Sequence, residues 1–292
     1  MSTEPKLAFI GAGLMGVPMA TRLVNAKYEV AAWNRTKTKL APLEAKGARV
    51  CETAAEAIAS AEVTIIMLSA SKAIKAVLVD DAKALGAVKG KTIVNMSTIG
   101  PDESKAFAAA VAEKGGSYVE SPVLGTVPHA TNGVLQILAS ADDEKLVTAI
   151  LPILKVMGKP RFIGKITSSC TYKLALNSML VANTTALAYS LGYLRRSGLD
   201  TKTFMDIVQG GILQCPYYNL KYKGMMERNF SPTNFATSLM LKDVNLAIED
   251  GKRKGINTNS VEGIQSVLQK AIDIGEGESD FSSLYNAVDP KD

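Results

Sequence analysis

Soft metal ligands and disulfide partners are scarce: the 292 residues contain one histidine and three cysteines. Cys51, Cys170 and Cys215 are odd in number and widely spaced, with no CxxC and only His129 as an imidazole partner. No metal site and no disulfide framework is expected, and a reducing cytoplasm is the default compartment. Basic runs are missing too. The 33 Lys and Arg outnumber the 28 Asp and Glu to give a net +5, but they are scattered, which excludes a nucleic-acid arm and suits an anionic small molecule. Met1 to Pro5 lacks the basic and long apolar segments of a signal peptide, so export is not expected. The stretch Leu174 to Leu194 carries no charge and is long enough to span a bilayer. Asn177, Ser178, Asn183, Thr184, Thr185, Ser190 and Gly192 make it too polar for lipid, so it reads as a helix buried between domains or protomers.

What is present is an ordinary globular composition, 47% hydrophobic and 21% charged, on a chain long enough for two domains. From Lys6 to about Ile163 short apolar runs alternate with helical patterns, the signature of βαβ units around a parallel sheet. Strands are expected at Leu7–Ile10, Glu29–Trp33, Val63–Leu68, Thr92–Met96 and Tyr118–Ser121, with later ones at Val134–Ala139 and Arg161–Ile163. After Gly164 the strand signals stop, and helices broken at Gly198, Gly210-Gly211, Pro216, Pro232 and Gly255 follow. The expected fold class is therefore α/β, with a parallel sheet covered by helices over 1–164 and a mostly helical domain over 165–292.

Gly11-Ala12-Gly13-Leu14-Met15-Gly16 follows the first strand and opens a helical stretch, which is the context the GxGxxG pattern requires. Gly11 allows a tight turn, Gly13 lets the backbone approach a pyrophosphate, and Gly16 permits close helix packing. The free N–H groups of the helix then face the phosphates. At the tip of the second strand an NAD-selective site carries a carboxylate for the ribose 2′-OH; here the residues are Asn34, Arg35, Thr36 and Lys37. An uncharged amide followed by basic and hydroxyl groups suits a 2′-phosphate, so NADP(H) is expected as the cofactor. Leu68-Ser69 and Ser97-Thr98 stand at the carboxyl ends of further strands, as cofactor contacts or as helix caps.

Lys173 and Asn177 stand four apart near the start of the apolar helix, hence on one face. A lysine can protonate a developing alkoxide and an amide can orient substrate. From composition alone, a lysine with its stem along apolar surface and its amine in water is the stronger reading. The sequence elements in order are Gly11 to Ala20, Asn95-Met96-Ser97-Thr98-Ile99-Gly100-Pro101, Ser121-Pro122-Val123-Leu124-Gly125-Thr126, Lys173 to Asn177, and Leu241-Lys242-Asp243-Val244. Over nearly its whole length the chain resembles the β-hydroxyacid dehydrogenase family, which includes 3-hydroxyisobutyrate dehydrogenases, tartronate semialdehyde reductases and glyoxylate/succinic semialdehyde reductases. Its Asn34-Arg35-Thr36 turn resembles the NADPH-using glyoxylate reductase branch.

The resemblance implies that Lys173 is the catalytic acid/base, that Asn177 and the loop Val123, Leu124, Gly125 and Thr126 bind substrate, and that Lys242 contacts the cofactor near the nicotinamide. It also implies a doubly wound Rossmann domain joined by a long helix to an all-helical domain, assembled as a homodimer or homotetramer. Three departures stand out. Leu124 replaces the loop's usual serine, Thr167 and Ser169 replace the glycines six and four residues before the lysine, and Ser178 replaces an asparagine. His129 reads as a loop residue, since no nucleophile elbow accompanies it, and Asp243 as a partner holding Lys242. The expected activity is NADPH-dependent reduction of a small aldehyde or 2-oxo acid. An imine reductase of the same architecture and a non-catalytic NADP(H)-binding scaffold are the alternatives; the first usually lacks the lysine.

Overall fold

Alternation within β1 (Leu7–Ile10) shows how the first half of the chain is built. Leu7 and Phe9 enter one hydrophobic cluster with Met19, Leu23, Ile65, Val94 and Val119, while Ala8 and Ile10 enter another with Ile58, Ile66, Ile74 and Ile93. A strand buried on both faces has no polar side, which is why it reads as a continuous apolar run. The structure, a computed structural model, describes residues 4–291.

Seven further strands are β2 (Val30–Trp33), β3 (Arg49–Val50), β4 (Val63–Ile66), β5 (Thr92–Asn95), β6 (Ser117–Glu120), β7 (Val123–Leu124) and β8 (Leu135–Ser140), and β9 (Gly158–Gly164) is the last. They form one nine-stranded sheet in the order β3-β2-β1-β4-β5-β6-β8-β7, with β9 on β8. The first six are parallel, β8 runs antiparallel to β6 and β7, and β9 is parallel to β8. All seven strands expected from the sequence are present; β3 and β7, of two residues each, were not expected. Strand order reverses at β1, with β2 on one side and β4 on the other, which makes the carboxyl ends of β1 and β4 the switch point at which open α/β sheets bind ligands.

The chain divides into two compact units, Met1–Lys173 and Leu174–Asp292. In the second unit the helices Thr201–Gly210, Pro216–Glu227, Thr237–Arg253, Asn259–Ala271 and Leu284–Val288 pack around Val181, Leu187, Leu191, Met240, Leu268 and Tyr285. Gly198 at φ +70 and Gly255 at φ +72 end two helices as the sequence suggested. The charge-free stretch lies in a helix of 29 residues, Ser168–Arg196. Among the described residues no helix is long and apolar enough to cross a membrane, and no group of three His, Cys, Asp or Glu side chains could hold a metal ion.

Candidate active site

The three glycines of the loop stand in different surroundings. Gly11 has φ +111, and a Cβ there would lie 2.1 Å from the Met67 carbonyl oxygen on the facing loop. A Cβ on Gly16 would lie 1.9 Å from the Gly11 oxygen, so the helix Gly16–Asn25 could not come so close to β1 with any other residue. Beside Gly13 there is open space, as a pyrophosphate approaching the backbone requires. No side chain caps the helix N-terminus, but the Val17 N–H already donates to the Gly13 carbonyl at 3.1 Å and Pro18 has no N–H, so of the first three helical residues Gly16 alone offers its amide to an anion. Leu14 is exposed and Met15 half-buried on the same loop, and Ala12 is buried.

Asn34 has a structural task. Its Oδ1 accepts the Ala12 N–H at 3.0 Å and its Nδ2 donates to the Thr36 carbonyl at 2.8 Å, so it ties the glycine loop to the tip of β2. Arg35 and Thr36 are exposed beyond it, while Lys37 pairs with Glu52. At the next two strand ends the caps belong to neither candidate pair: Ala70 and Gly100 are the N-cap residues of the following helices, and Glu103 accepts the Gly100 N–H at 2.8 Å. Ser97 instead joins two loops, since its buried hydroxyl accepts the Leu68 N–H at 2.9 Å and its own N–H donates to Asn95 Oδ1 at 3.1 Å. Ser69 is exposed and Thr98 half-buried beside them.

In the loop after β6, antiparallel pairing of Val123 with Ile137 and Leu124 with Gln136 turns alternate side chains to opposite faces. Val123 enters the core, so only its backbone can meet a ligand, and Leu124 is half-buried on the other face. Gly125 has φ +136, and a Cβ there would strike Leu135 and His129 at 2.8 and 2.9 Å. The Thr126 N–H donates to His129 Nδ1 at 3.2 Å, and the Thr126 hydroxyl lies 2.9 Å from the same nitrogen. His129 thus closes the first turn of the helix Val127–Asn132 and takes up one of the two amides expected to meet a substrate carboxylate.

On the long helix, Lys173 and Asn177 are buried one turn apart, at 7% and 2% exposure. Asn177 Nδ2 donates to Asp243 Oδ2 at 2.6 Å, and Lys242 Nζ lies 2.7 Å from Asp243 Oδ1. Asp243 was expected to hold Lys242; it also fixes the orientation of the Asn177 amide. The two glycine replacements ahead of Lys173 have distinct consequences. Thr167 adopts φ +84, a glycine-like conformation, and the Ser169 hydroxyl lies 2.6 Å from Ser140 Oγ. Ser178 donates to the Leu174 carbonyl at 2.9 Å.

Sequence reasoning missed Glu120. It is fully buried and accepts the Cys170 N–H at 2.9 Å and the Thr167 N–H at 3.0 Å. A charged residue closing an apolar strand just before the Ser121–Thr126 loop was the signal available. Burial, together with the negative charge of Glu120, pushes the Cys170 thiol well above its ordinary range, so this cysteine is no thiolate nucleophile.

Residues 6–172 match the profile described as the NAD binding domain of 6-phosphogluconate dehydrogenase. Residues 168–288 match the one described as NAD-binding of NADP-dependent 3-hydroxyisobutyrate dehydrogenase. The chain belongs to the β-hydroxyacid dehydrogenase family. It is therefore an oxidoreductase with a nicotinamide cofactor. Glyoxylate/succinic semialdehyde reductase 1 of Arabidopsis thaliana is 32% identical over 97% of this chain and 98% of its own. Among solved structures, 3-hydroxyisobutyrate dehydrogenase of Mycobacterium tuberculosis superimposes with a TM-score of 0.88 at 24% identity, covering 98% of this chain and 99% of that one. An imine reductase from Myxococcus stipitatus in complex with NADP+ reaches 0.68 at 18% identity, over 97% of this chain and 100% of that one. Both structural matches speak for the fold alone.

Proposed function

We propose that this member of the β-hydroxyacid dehydrogenase family is an NADPH-dependent reductase of small aldehydes or 2-oxo acids, acting reversibly on the corresponding hydroxy acids in the cytoplasm. The observation that carries the reading is the buried Lys173 one helical turn from an Asn177 whose amide is held by Asp243. When bound, NADPH supplies the hydride to the carbonyl carbon. Lys173 donates a proton to the carbonyl oxygen, and Asn177 with the Gly125 amide orients the acid group for attack. The Thr126 amide joins them once it leaves His129. Arg35 and Thr36 receive the 2′-phosphate, the backbone from Gly11 to Gly16 the pyrophosphate, Leu68, Ser69, Ser97 and Thr98 the rest of the cofactor, and Lys242 its nicotinamide end. The name of the Arabidopsis relative supports glyoxylate and succinic semialdehyde as first substrates to try. Domain limits of 1–164 and 165–292 accompany this division of labour.

NADPH oxidation measured against glyoxylate, succinic semialdehyde, tartronate semialdehyde, methylmalonate semialdehyde and an uncharged aldehyde tests the proposal. Lys173→Ala should lower kcat by about 10²–10⁴-fold with NADPH affinity nearly unchanged, whereas Lys242→Ala should weaken the cofactor first. A Lys173→Ala enzyme with wild-type kcat would sink the mechanism, and a wild type inert toward the whole panel would favour the scaffold reading. Lysine at this position favours an aldehyde reductase over an imine reductase.

The same proposal includes a homodimer or homotetramer. Tyr172, Met179, Tyr189 and Tyr193 are each more than half exposed on the long helix, and 172, 179 and 193 fall at multiples of seven residues, on one stripe. Light scattering on the eluting protein measures the state, and a monomer at micromolar concentration would exclude it.

A further inference from the structure

We infer that Glu120 is a positioning residue for proton transfer by Lys173, an inference that rests on the role proposed for that lysine. A carboxylate with no solvent exposure is costly to bury unless its oxygens are matched by donors. Glu120 is matched on both. Its Oε2 accepts the Ser104 hydroxyl at 2.6 Å and the Thr167 N–H at 3.0 Å, and its Oε1 accepts the Cys170 N–H at 2.9 Å.

The two amides belong to the opening of the helix Ser168–Arg196, where N–H groups have no intrahelical acceptor. Glu120 therefore caps this helix from strand β6, 47 and 50 residues earlier in the chain. Lys173 is three residues past Cys170, so the carboxylate sets where the lysine's turn begins. Ser169 adds a second tie, since its N–H donates to the buried Ser140 hydroxyl at 3.1 Å.

The other side of the carboxylate leads toward the cofactor loops. Ser104 gives its one hydrogen to Glu120, so at the 3.4 Å contact between Ser104 and Tyr118 the tyrosine must be the donor. The Tyr118 oxygen accepts Asn95 Nδ2 at 3.0 Å, Asn95 Oδ1 accepts the Ser97 N–H at 3.1 Å, and Ser97 Oγ accepts the Leu68 N–H at 2.9 Å. Burial pushes the Tyr118 hydroxyl far up, so it stays a neutral donor. One buried line of hydrogen bonds thus runs from the loops after β4 and β5 to the first turn of the lysine's helix. Glutamine at 120 would keep one acceptor oxygen but turn an NH2 group toward an N–H donor, and the helix start would shift.

Steady-state NADPH oxidation with succinic semialdehyde, run on wild type, Glu120→Gln, Lys173→Ala and the double variant, tests this. Glu120→Gln should lower kcat about 10- to 100-fold, leave the KM for NADPH unchanged, and raise the solvent deuterium isotope effect as proton transfer becomes limiting. In the Lys173→Ala background the same change should cost nothing further, because a residue that acts through the lysine has nothing left to position. Losses that multiply, or a Glu120→Gln enzyme with wild-type kcat, would overturn the inference. Lys173→Ala with wild-type kcat would instead remove the reading beneath it. If Glu120→Gln does not fold, Ser104→Ala takes its place in the cycle: it keeps the charge and both amide contacts, and should lower kcat several-fold alone and not at all beside Lys173→Ala.

Discussion

At the scale of single residues, side chains chosen for their chemistry turn out to brace the backbone as well. Asn34 offers no charge to repel a 2′-phosphate, and it also binds the Ala12 amide and the Thr36 carbonyl. Asn34→Asp should therefore act twice. The carboxylate still accepts from Ala12 but repels the Thr36 carbonyl and a bound 2′-phosphate, so the proposed preference for NADPH over NADH should fall at least about tenfold or reverse. Fluorescence titration with both cofactors measures it, and an unchanged ratio would mean that this turn does not meet the ribose. Leu124 poses the opposite problem, an isobutyl group on a loop proposed to meet an acid. With the Thr126 amide held by His129, the loop has few donors to spare. Leu124→Ser should raise kcat/KM for glyoxylate relative to an uncharged aldehyde of similar size by about ten- to a hundred-fold, the worth of one hydrogen bond to a charged group. Steady-state kinetics on both substrates checks the ratio.

At the scale of elements, the entrance to the long helix is a strained place. Thr167 is β-branched and sits at φ +84, where such residues are rarely found. Its N–H is held by Glu120, so the conformation is imposed from β6. Thr167→Gly removes the steric cost of about 1–3 kcal/mol and adds chain entropy to the unfolded state, worth about 0.4–1 kcal/mol against it. The variant should be more stable by about 1 kcal/mol in urea unfolding, with the Glu120 contact retained; a loss of stability would show that the threonine side chain contributes more than its backbone costs. Elements of another kind escaped notice for a simple reason. β3 and β7 have two residues each, too few to display a period of two, and only their register against β2 and β8 makes them strands.

At the scale of the whole molecule, the C-terminal segment is fastened to the end of the long helix by one carboxylate. Asp289, 1% exposed, meets Arg195 at 2.5 Å and Arg196 at 2.7 Å, with Arg228 at 3.5 Å and the Tyr285 hydroxyl donating at 3.0 Å. The Arg195 guanidinium above all holds its pKa far below the usual carboxylate range. A carboxyl whose folded pKa is depressed contributes stability above its unfolded value, near 3.9, and loses it as pH falls toward the folded value. Asp289→Asn should thus be less stable than wild type by a constant amount from pH 5 to 8, with the gap shrinking below about pH 4. Because Arg195 and Arg196 are partly exposed and can rehydrate, about 2–3 kcal/mol is expected, below the cost of breaking a fully buried pair. Denaturant melts at several pH values give the curve.

Short-range spacing was enough to determine much of this protein: apolar runs bounded by turns for the sheet, three glycines at fixed offsets for the loop after β1, and a lysine and an asparagine one helical turn apart. Each depends on a period or an offset of a few residues, which the chain writes directly into its order. What the tertiary structure alone decided is which polar groups share a buried space. Asp243 meets Asn177 across 66 residues, Asp289 meets Arg195 across 94, and Glu120 meets Cys170 across 50. No local pattern announces such pairs. They follow from the strand and helix neighbours that packing selects, and from the cost of leaving any of these charges out of water without a partner.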